Sequence, residues 1–409
     1  MRILNTSVVA LLCVLSFTGA DWPQFRGLDT TGIADHQNLP TDVSDSIAWS
    51  ADLPGRGISG PIVVGNRVFV SASSGYAQDR LHVLCFDARD GKPLWERQFW
   101  ATGRTLCHPK MCNATPTPAS DGERVFAFFS SNDLVCLDLD GNLQWFRGLT
   151  HDYQNASNSL GMSSSPIVVG DTLIVQVEND SQSLALGIDV TSGENRWKHD
   201  RPILSNWTSP LVMRGDRSEN DLAILQSGKG LVALRPYTGI EVWRFDEPCN
   251  VIPSTSVADG MLFAPCKGLT ALRINADGAK PEVVWQANRL GPGTPSALIY
   301  GGRVFSIGGA GVLNCGDVKD GKNLWQLRLQ VQIGDKSSGG AFSATPVVSD
   351  GHLYLVNEEG ILMVVGGVTD KGQIVSHHSF GETILATPAI ADGGLFLRSD
   401  KHLWKVARR

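Results

Sequence analysis

The stretch Phe86–Trp95, FDARDGKPLW, recurs down this chain, and its recurrence limits the fold more than any other feature. Asp87, Gly91 and Trp95 have counterparts in Asp138/Gly141/Trp145, Asp189/Gly193/Trp197 and Asp317/Gly321/Trp325. A variant with Arg235 in the acidic position gives Gly239/Trp243, and a sixth copy with a longer turn runs through Asp277, Gly278 and Trp285. These tryptophans follow one another at intervals of 40 to 52 residues. A repeat of that length built from short strands points to a β-propeller. One four-stranded sheet cannot bury both faces until its neighbours stack on it.

The units read as sheet. Each opens on Ser/Thr-x-Pro or a relative of it, as in Ser59-Gly60-Pro61, Ser164-Ser165-Pro166, Ala344-Thr345-Pro346 and Ala386-Thr387-Pro388. A short apolar run, a polar turn such as Gly65-Asn66 or Asp350-Gly351, and a second apolar run follow. β-Branched and aromatic runs punctuated by Gly, Asn and Asp are hairpin grammar. The third run leads into the Asp…Gly turn and the fourth carries the tryptophan. Aspartate can bond backbone N–H groups in that turn, and glycine accepts a positive φ there. The indole can then lie between adjacent sheets, with an N–H that needs an acceptor.

The two ends complement each other. Ile47-Ala48-Trp49 is a fourth strand with no first three before it, and the segment from Thr387 to Val406 supplies three strands with no fourth. Pairing them removes two exposed edges. The expected fold is therefore all-β: a propeller of eight four-stranded blades over residues 47–409, closed by its N- and C-terminal strands. The seventh unit has Ile374-Val375 in place of the tryptophan, so a seven-bladed ring is the alternative if 345–409 folds irregularly. Residues 21–46 form an N-terminal extension. Deleting 21–34 is expected to cost less than deleting 21–55, which also removes the orphan strand.

Residues 1–20 have the form of a signal peptide: Arg2, an apolar run from Val8 to Leu15, and Thr18-Gly19-Ala20 before Asp21. Cys13 lies inside the apolar run after Leu12, where a lipoprotein signal would place a small residue, so a lipid anchor is not expected there. The chain is expected to be exported, to the periplasm or beyond the cell, with no transmembrane segment. Its net charge of −6, without basic runs, argues against nucleic acid as a partner. Cys85, Cys136 and Cys315 occupy equivalent third-strand positions and read as buried free thiols. Cys107 and Cys112 share one loop, and Cys249 and Cys266 flank one hairpin, so these are disulfide candidates in an oxidising compartment. Cys107, His108 and Cys112 also suggest zinc, but a fourth ligand is missing and a disulfide or loop packing is the better reading.

The repeat with its Ser/Thr-x-Pro openings resembles the PQQ-like propeller family. That family includes the quinoprotein alcohol dehydrogenases and the non-catalytic propeller subunit of the outer-membrane β-barrel assembly machinery. The resemblance covers about residues 47–409 and is specific for the propeller, while leaving the cofactor open. It implies a secreted or periplasmic binding or scaffold protein without a cofactor, or else an oxidoreductase using PQQ with calcium or a metal. The quinoproteins carry a vicinal Cys-Cys pair, and no two cysteines are adjacent here. Glu178-Asn179-Asp180 offers the residue types of their calcium ligands, but three consecutive strand residues cannot all face one way.

Topology places the varied loops on one face and the Asp…Gly turns on the other, and loops on a rigid ring are where binding residues concentrate. On that face Arg104, His108, Asn132, Asp133, His151, Asp152 and Trp207 are the candidates for holding a protein or a small polar ligand. The competing reading is that the Asn, Asp and Ser groups bond loop backbone. No side chain is assigned a catalytic or metal-binding role.

Overall fold

The structure is a computed structural model and describes residues 21–157, 160–274 and 280–408. The leader expected over residues 1–20 and the turn at Asp277-Gly278 lie outside the described residues. The described residues form eight four-stranded antiparallel sheets and one small hairpin, Val331–Ile333 with Lys336–Ser338. Blades 1 to 7 follow in chain order, with innermost strands at Ile62–Val64, Ala119–Ser120, Ile167–Val169, Leu211–Met213, Ser256–Ala258, Leu298–Tyr300 and Val347–Ser349. Blade 8 joins Ala389–Ala391, Gly394–Arg398 and His402–Ala407 to Ile47–Asp52, which pairs Ser50 with Trp404 and Asp52 with His402. The ring is thus closed by its two ends. No helix among the described residues is long and apolar enough to cross a membrane.

Trp49, Trp95, Trp145, Trp197, Trp285 and Trp325 each fasten one blade to the next. Trp197 of blade 3 stacks on Gly239 of blade 4, and its Nε1 donates to the Pro236 carbonyl at 2.7 Å. The same indole-to-carbonyl bond runs from Trp49 to Ala88, Trp95 to Leu139, Trp145 to Val190 and Trp285 to Val318. Gly239 has φ +69°, and a Cβ there would sit 2.6 Å from the Trp197 ring, so glycine meets two demands at once. The turn aspartates hold the glycines in place. Arg89 and its backbone N–H keep the Asp87 carboxyl down at about 2, and the Ser192 N–H and Arg196 do the same for Asp189. Blade 7 has no tryptophan for a topological reason. The outer two strands of blade 8 come from opposite chain ends, so no turn exists there to receive one. Residues 41–44 fill that seam instead, through Val43 N–H to Ser376 Oγ at 3.2 Å and Ser376 Oγ to the Thr41 carbonyl at 2.6 Å.

The Ser/Thr-x-Pro openings have a different task. The middle residue of each lies at the axis, and its hydroxyl accepts the backbone N–H of its counterpart one blade earlier. Gly60 N–H bonds Thr117, then Thr117 to Ser165, Ser165 to Ser209, Ser209 to Ser254, Ser254 to Ser296, Ser296 to Thr345 and Thr345 to Thr387, at 2.8–3.2 Å. Seven hydroxyls therefore circle the channel, and Gly60 leaves the eighth place without one.

Residues 21–46, set apart by the sequence as an extension, thread the axis and touch each blade. Trp22 bridges to Val63 of blade 1, Pro23 accepts from Ser120 of blade 2, and Gln24 accepts from Val168 of blade 3. Asp29 faces Arg214 at the end of the blade 4 inner strand, and Arg26 bonds Thr255 and Ser256 of blade 5. Asp35 reaches Tyr300 of blade 6, Ile33 bridges to Val348 of blade 7, and Gln37 accepts from Gly393 of blade 8. Trp22, Gln24, Arg26 and Thr30 are all buried. The segment is a plug that closes the channel from the side of the Asp…Gly turns.

Candidate functional site

With one end plugged, the channel becomes a funnel that opens on the loop face. Its volume is about 380 Å³, within the range of roughly 300–1,000 Å³ usual for small-molecule sites. Phe25 from the plug lies at the base with the seven ring hydroxyls around it. The walls are mixed: Ile58, Met111, Leu160, Trp207, Ile252 and Leu385 supply the apolar part, and His108 and Lys110 stand among them.

One loop arches over the mouth. His108 N–H bonds the Leu160 carbonyl at 2.9 Å, Lys110 reaches Glu358 of blade 7 at 2.8 Å, and Arg56 holds the Pro109 carbonyl at 3.2 Å. The loop is thereby fastened to blades on opposite sides of the opening. Beyond it, Leu106, Ile203, Leu204 and Ile252 stand exposed on the loops entering blades 2, 4 and 5. The loops are tied to one another, since Trp207 N–H bonds the Val251 carbonyl at 2.9 Å and its indole bonds Gly161 at 3.0 Å. The rim is consequently an ordered apolar crescent.

The residues singled out from sequence divide into three groups. His108 and Trp207 line the funnel. Asn132 and Asp133 lie buried beneath the loops. Asn132 takes φ +64° in a turn and bonds the Ala156 carbonyl. Asp133 receives Thr102 N–H at 3.0 Å, Thr102 Oγ1 at 2.5 Å and Ser131 Oγ at 2.6 Å. Burial raises the Asp133 carboxyl above its ordinary value despite those donors. Both residues bond the loop framework. Arg104, His151 and Asp152 are exposed and do not line the funnel. Asp152 pairs with Arg147 at 2.5 Å in a shallow groove at the seam of blades 2 and 3.

Cys249 and Cys266 are joined as a disulfide. The second candidate bridge is absent: Cys107 and Cys112 are both free thiols. Cys112 is buried beside Thr115, while the Cys107 sulfur turns to the Thr105 carbonyl at 3.3 Å. Cys85, Cys136 and Cys315 are free and buried, and burial pushes each thiol up to about 12.

Sequence reading missed the hydroxyl ring, the plug and a buried polar knot between blades 3, 4 and 5. In that knot the Gln226 carbonyl receives Gln176 and Asn206 at 2.9 Å, and its amide nitrogen reaches the Asn250 and Pro253 carbonyls. Glu178 belongs there too, paired with Arg201 at 2.5 Å with both side chains sealed from solvent. Asn179 spends its amide on the Gln182 carbonyl and Ser181 N–H. Of the three residues offered as calcium ligands, none lines the funnel.

Comparison with known proteins gives a consistent result. The family described as outer membrane protein assembly factor BamB matches residues 41–243 and 271–375. Outer membrane protein assembly factor BamB of Burkholderia pseudomallei is 22% identical over 366 residues, covering 76% of this chain and 85% of that protein. The BamB structure from Moraxella catarrhalis superposes with a TM-score of 0.64 at 16% identity, covering 88% of this chain and 96% of the other. Quinohemoprotein alcohol dehydrogenase from Comamonas testosteroni gives 0.71 at 14% identity, covering 95% and 81%. At these identities the structural likenesses establish the shared propeller fold.

Proposed function

The chain belongs to the outer membrane protein assembly factor BamB family, and from that premise we propose that it is an exported, non-catalytic propeller that docks protein on its loop face during outer-membrane protein assembly. The observation that carries the reading is the apolar crescent of Leu106, Ile203, Leu204 and Ile252 on rigidly tied loops. Such an exposed patch on an otherwise polar rim is the usual mark of a protein interface. Aliphatic anchors held by a stiff scaffold lose little entropy on binding.

The second reading is an oxidoreductase of the quinoprotein type, favoured by the likeness to quinohemoprotein alcohol dehydrogenase. The residues present do not fit a calcium–quinone site. Arg201 already neutralises Glu178, and Asn179 is committed to its own loop. Among the described residues the funnel lining contains no carboxylate to replace them. Titration with PQQ and excess Ca²⁺, followed by dye-linked alcohol oxidation, separates the two. The docking reading expects no saturable binding in the micromolar range, about −8 kcal/mol, and no alcohol-dependent dye reduction. Stoichiometric binding with alcohol-dependent reduction would establish the enzyme instead.

A further inference from the structure

Two arginines are buried without a carboxylate partner, and both lie directly behind the funnel. Arg26 follows Phe25 of the funnel base. Its Nη1 donates to Ser256 Oγ at 3.0 Å and its Nη2 to the Thr255 carbonyl at 2.8 Å, next to ring residue Ser254. Arg398 donates to the Ser71 carbonyl at 2.7 Å and to Ser59 Oγ at 3.2 Å, beside the gap that Gly60 leaves in the ring. A Cβ on Gly57 would collide with its guanidinium, which places the charge against the backbone that carries Ile58 of the funnel wall. Neither arginine has an acidic group within ion-pair distance among the described residues. The nearest carboxylate to influence Arg398, Asp400, is bound instead by Arg56 and Gly57 N–H. Cys112 also faces Arg398, and the Phe25 ring lies 5.4 Å from Arg26. One guanidinium nitrogen on each, Arg26 Nε and Arg398 Nη2, has no acceptor among the described residues.

A buried charge without a partner is costly, and proteins supply a counter-charge or a ligand. The ring adds a second demand. A hydroxyl has one proton to donate as well as lone pairs to accept with. All seven ring hydroxyls accept a backbone N–H, and none gives its own proton to an acceptor among the described residues. The base of the funnel therefore presents O–H donors backed by two cations without an ion-pair partner among the described residues, below walls whose apolar side chains are joined by His108 and Lys110.

We propose that the funnel binds a carboxylate carried on an apolar body, with the carboxylate on the hydroxyl ring and the apolar part between Phe25, Met111, Trp207 and Ile252. This chemistry has two natural sources, the free C-terminus of a peptide ending in apolar residues and a fatty acid. The site is independent of which protein sits on the rim. Its test uses only the purified chain and small probes, so its failure leaves the docking reading untouched.

The probes are acetyl-Leu-Phe with a free carboxylate, the same dipeptide as its C-terminal amide, and decanoate. Binding is followed by calorimetry and by tryptophan fluorescence, with Trp207→Phe assigning the optical change to the funnel. At least one carboxylate probe should bind saturably, and the amide should bind at least tenfold more weakly than its acid if the source is a peptide. Decanoate binding without the dipeptide acid identifies a fatty acid as the source. Arg398→Met should weaken the carboxylate at least tenfold. Ser165→Ala and Ser254→Ala, milder changes, should weaken it while leaving the fold intact should the arginine variant not fold. Equal binding of acid and amide, or no saturable binding of either carboxylate at millimolar concentration, would overturn the proposal.

Discussion

A chain that begins at Asp35 should be largely insoluble or melt far below one that begins at Asp21. The plug contacts blades all round the ring, and its loss does several kinds of damage together. Trp22 is 2% exposed, and removing a buried aromatic costs roughly 3–5 kcal/mol by itself. Gln24, which accepts from Val168 N–H at 2.9 Å, leaves a buried donor without a partner. The bridges to Val63 and Val348 also go, so water enters the channel from the turn side. These terms approach the whole margin of about 5–15 kcal/mol by which a domain is stable. Soluble yield and the circular-dichroism melting midpoint of the two chains measure the effect. Equal midpoints would mean that the ring stands without its plug. From the sequence alone this deletion reads as milder than removal of 21–55; the contacts of residues 22–33 raise its expected cost and leave that order unchanged.

Trp197→Ala should destabilise by roughly 3–5 kcal/mol. The ring lies between blades 3 and 4 against Gly239, and its N–H supplies the Pro236 carbonyl. Truncation opens a cavity at a blade seam and orphans that carbonyl. Trp207→Ala removes the same atoms from a half-exposed position on the funnel wall and should cost well under half as much. Denaturant midpoints of the two variants give the comparison. A larger loss at Trp207 would mean that the loops, and not the seams, hold the ring together.

How much could be read from the chain depended on the distance over which each device acts. Asp189, Gly193 and Trp197 lie within one hairpin, so their spacing repeats visibly and reveals the blades. Trp49, with no strands before it, revealed the closure. The hydroxyl ring was visible only as half of itself. The Ser/Thr-x-Pro openings stood out, yet nothing local shows that Ser165 accepts from Thr117 one blade earlier. The plug was invisible because its bonds run from Arg26 to Ser256, 230 residues away. The site residues suffered from a related ambiguity. Asn132 and Asp133 follow a strand exactly as ligand-binding loop residues do, and only burial and a φ of +64° at Asn132 mark them as framework. Trp207 and His108 were legible as loop residues with large, exposed chemistry. Phe25, Met111 and Ile252, scattered over three loops, had no shared pattern to betray them.

The docking claim is tested most directly by placing a photo-crosslinking side chain at position 203 or 252 on the loop face. The same group at 143 or 324, exposed on outer strands, serves as the control. Each variant is irradiated in the native cell envelope and its adducts identified by mass spectrometry. Adducts from 203 and 252 to a component of the outer-membrane protein assembly machinery are expected, and none from 143 or 324. Adducts from the outer strands alone, or a silent loop face, would contradict the docking claim.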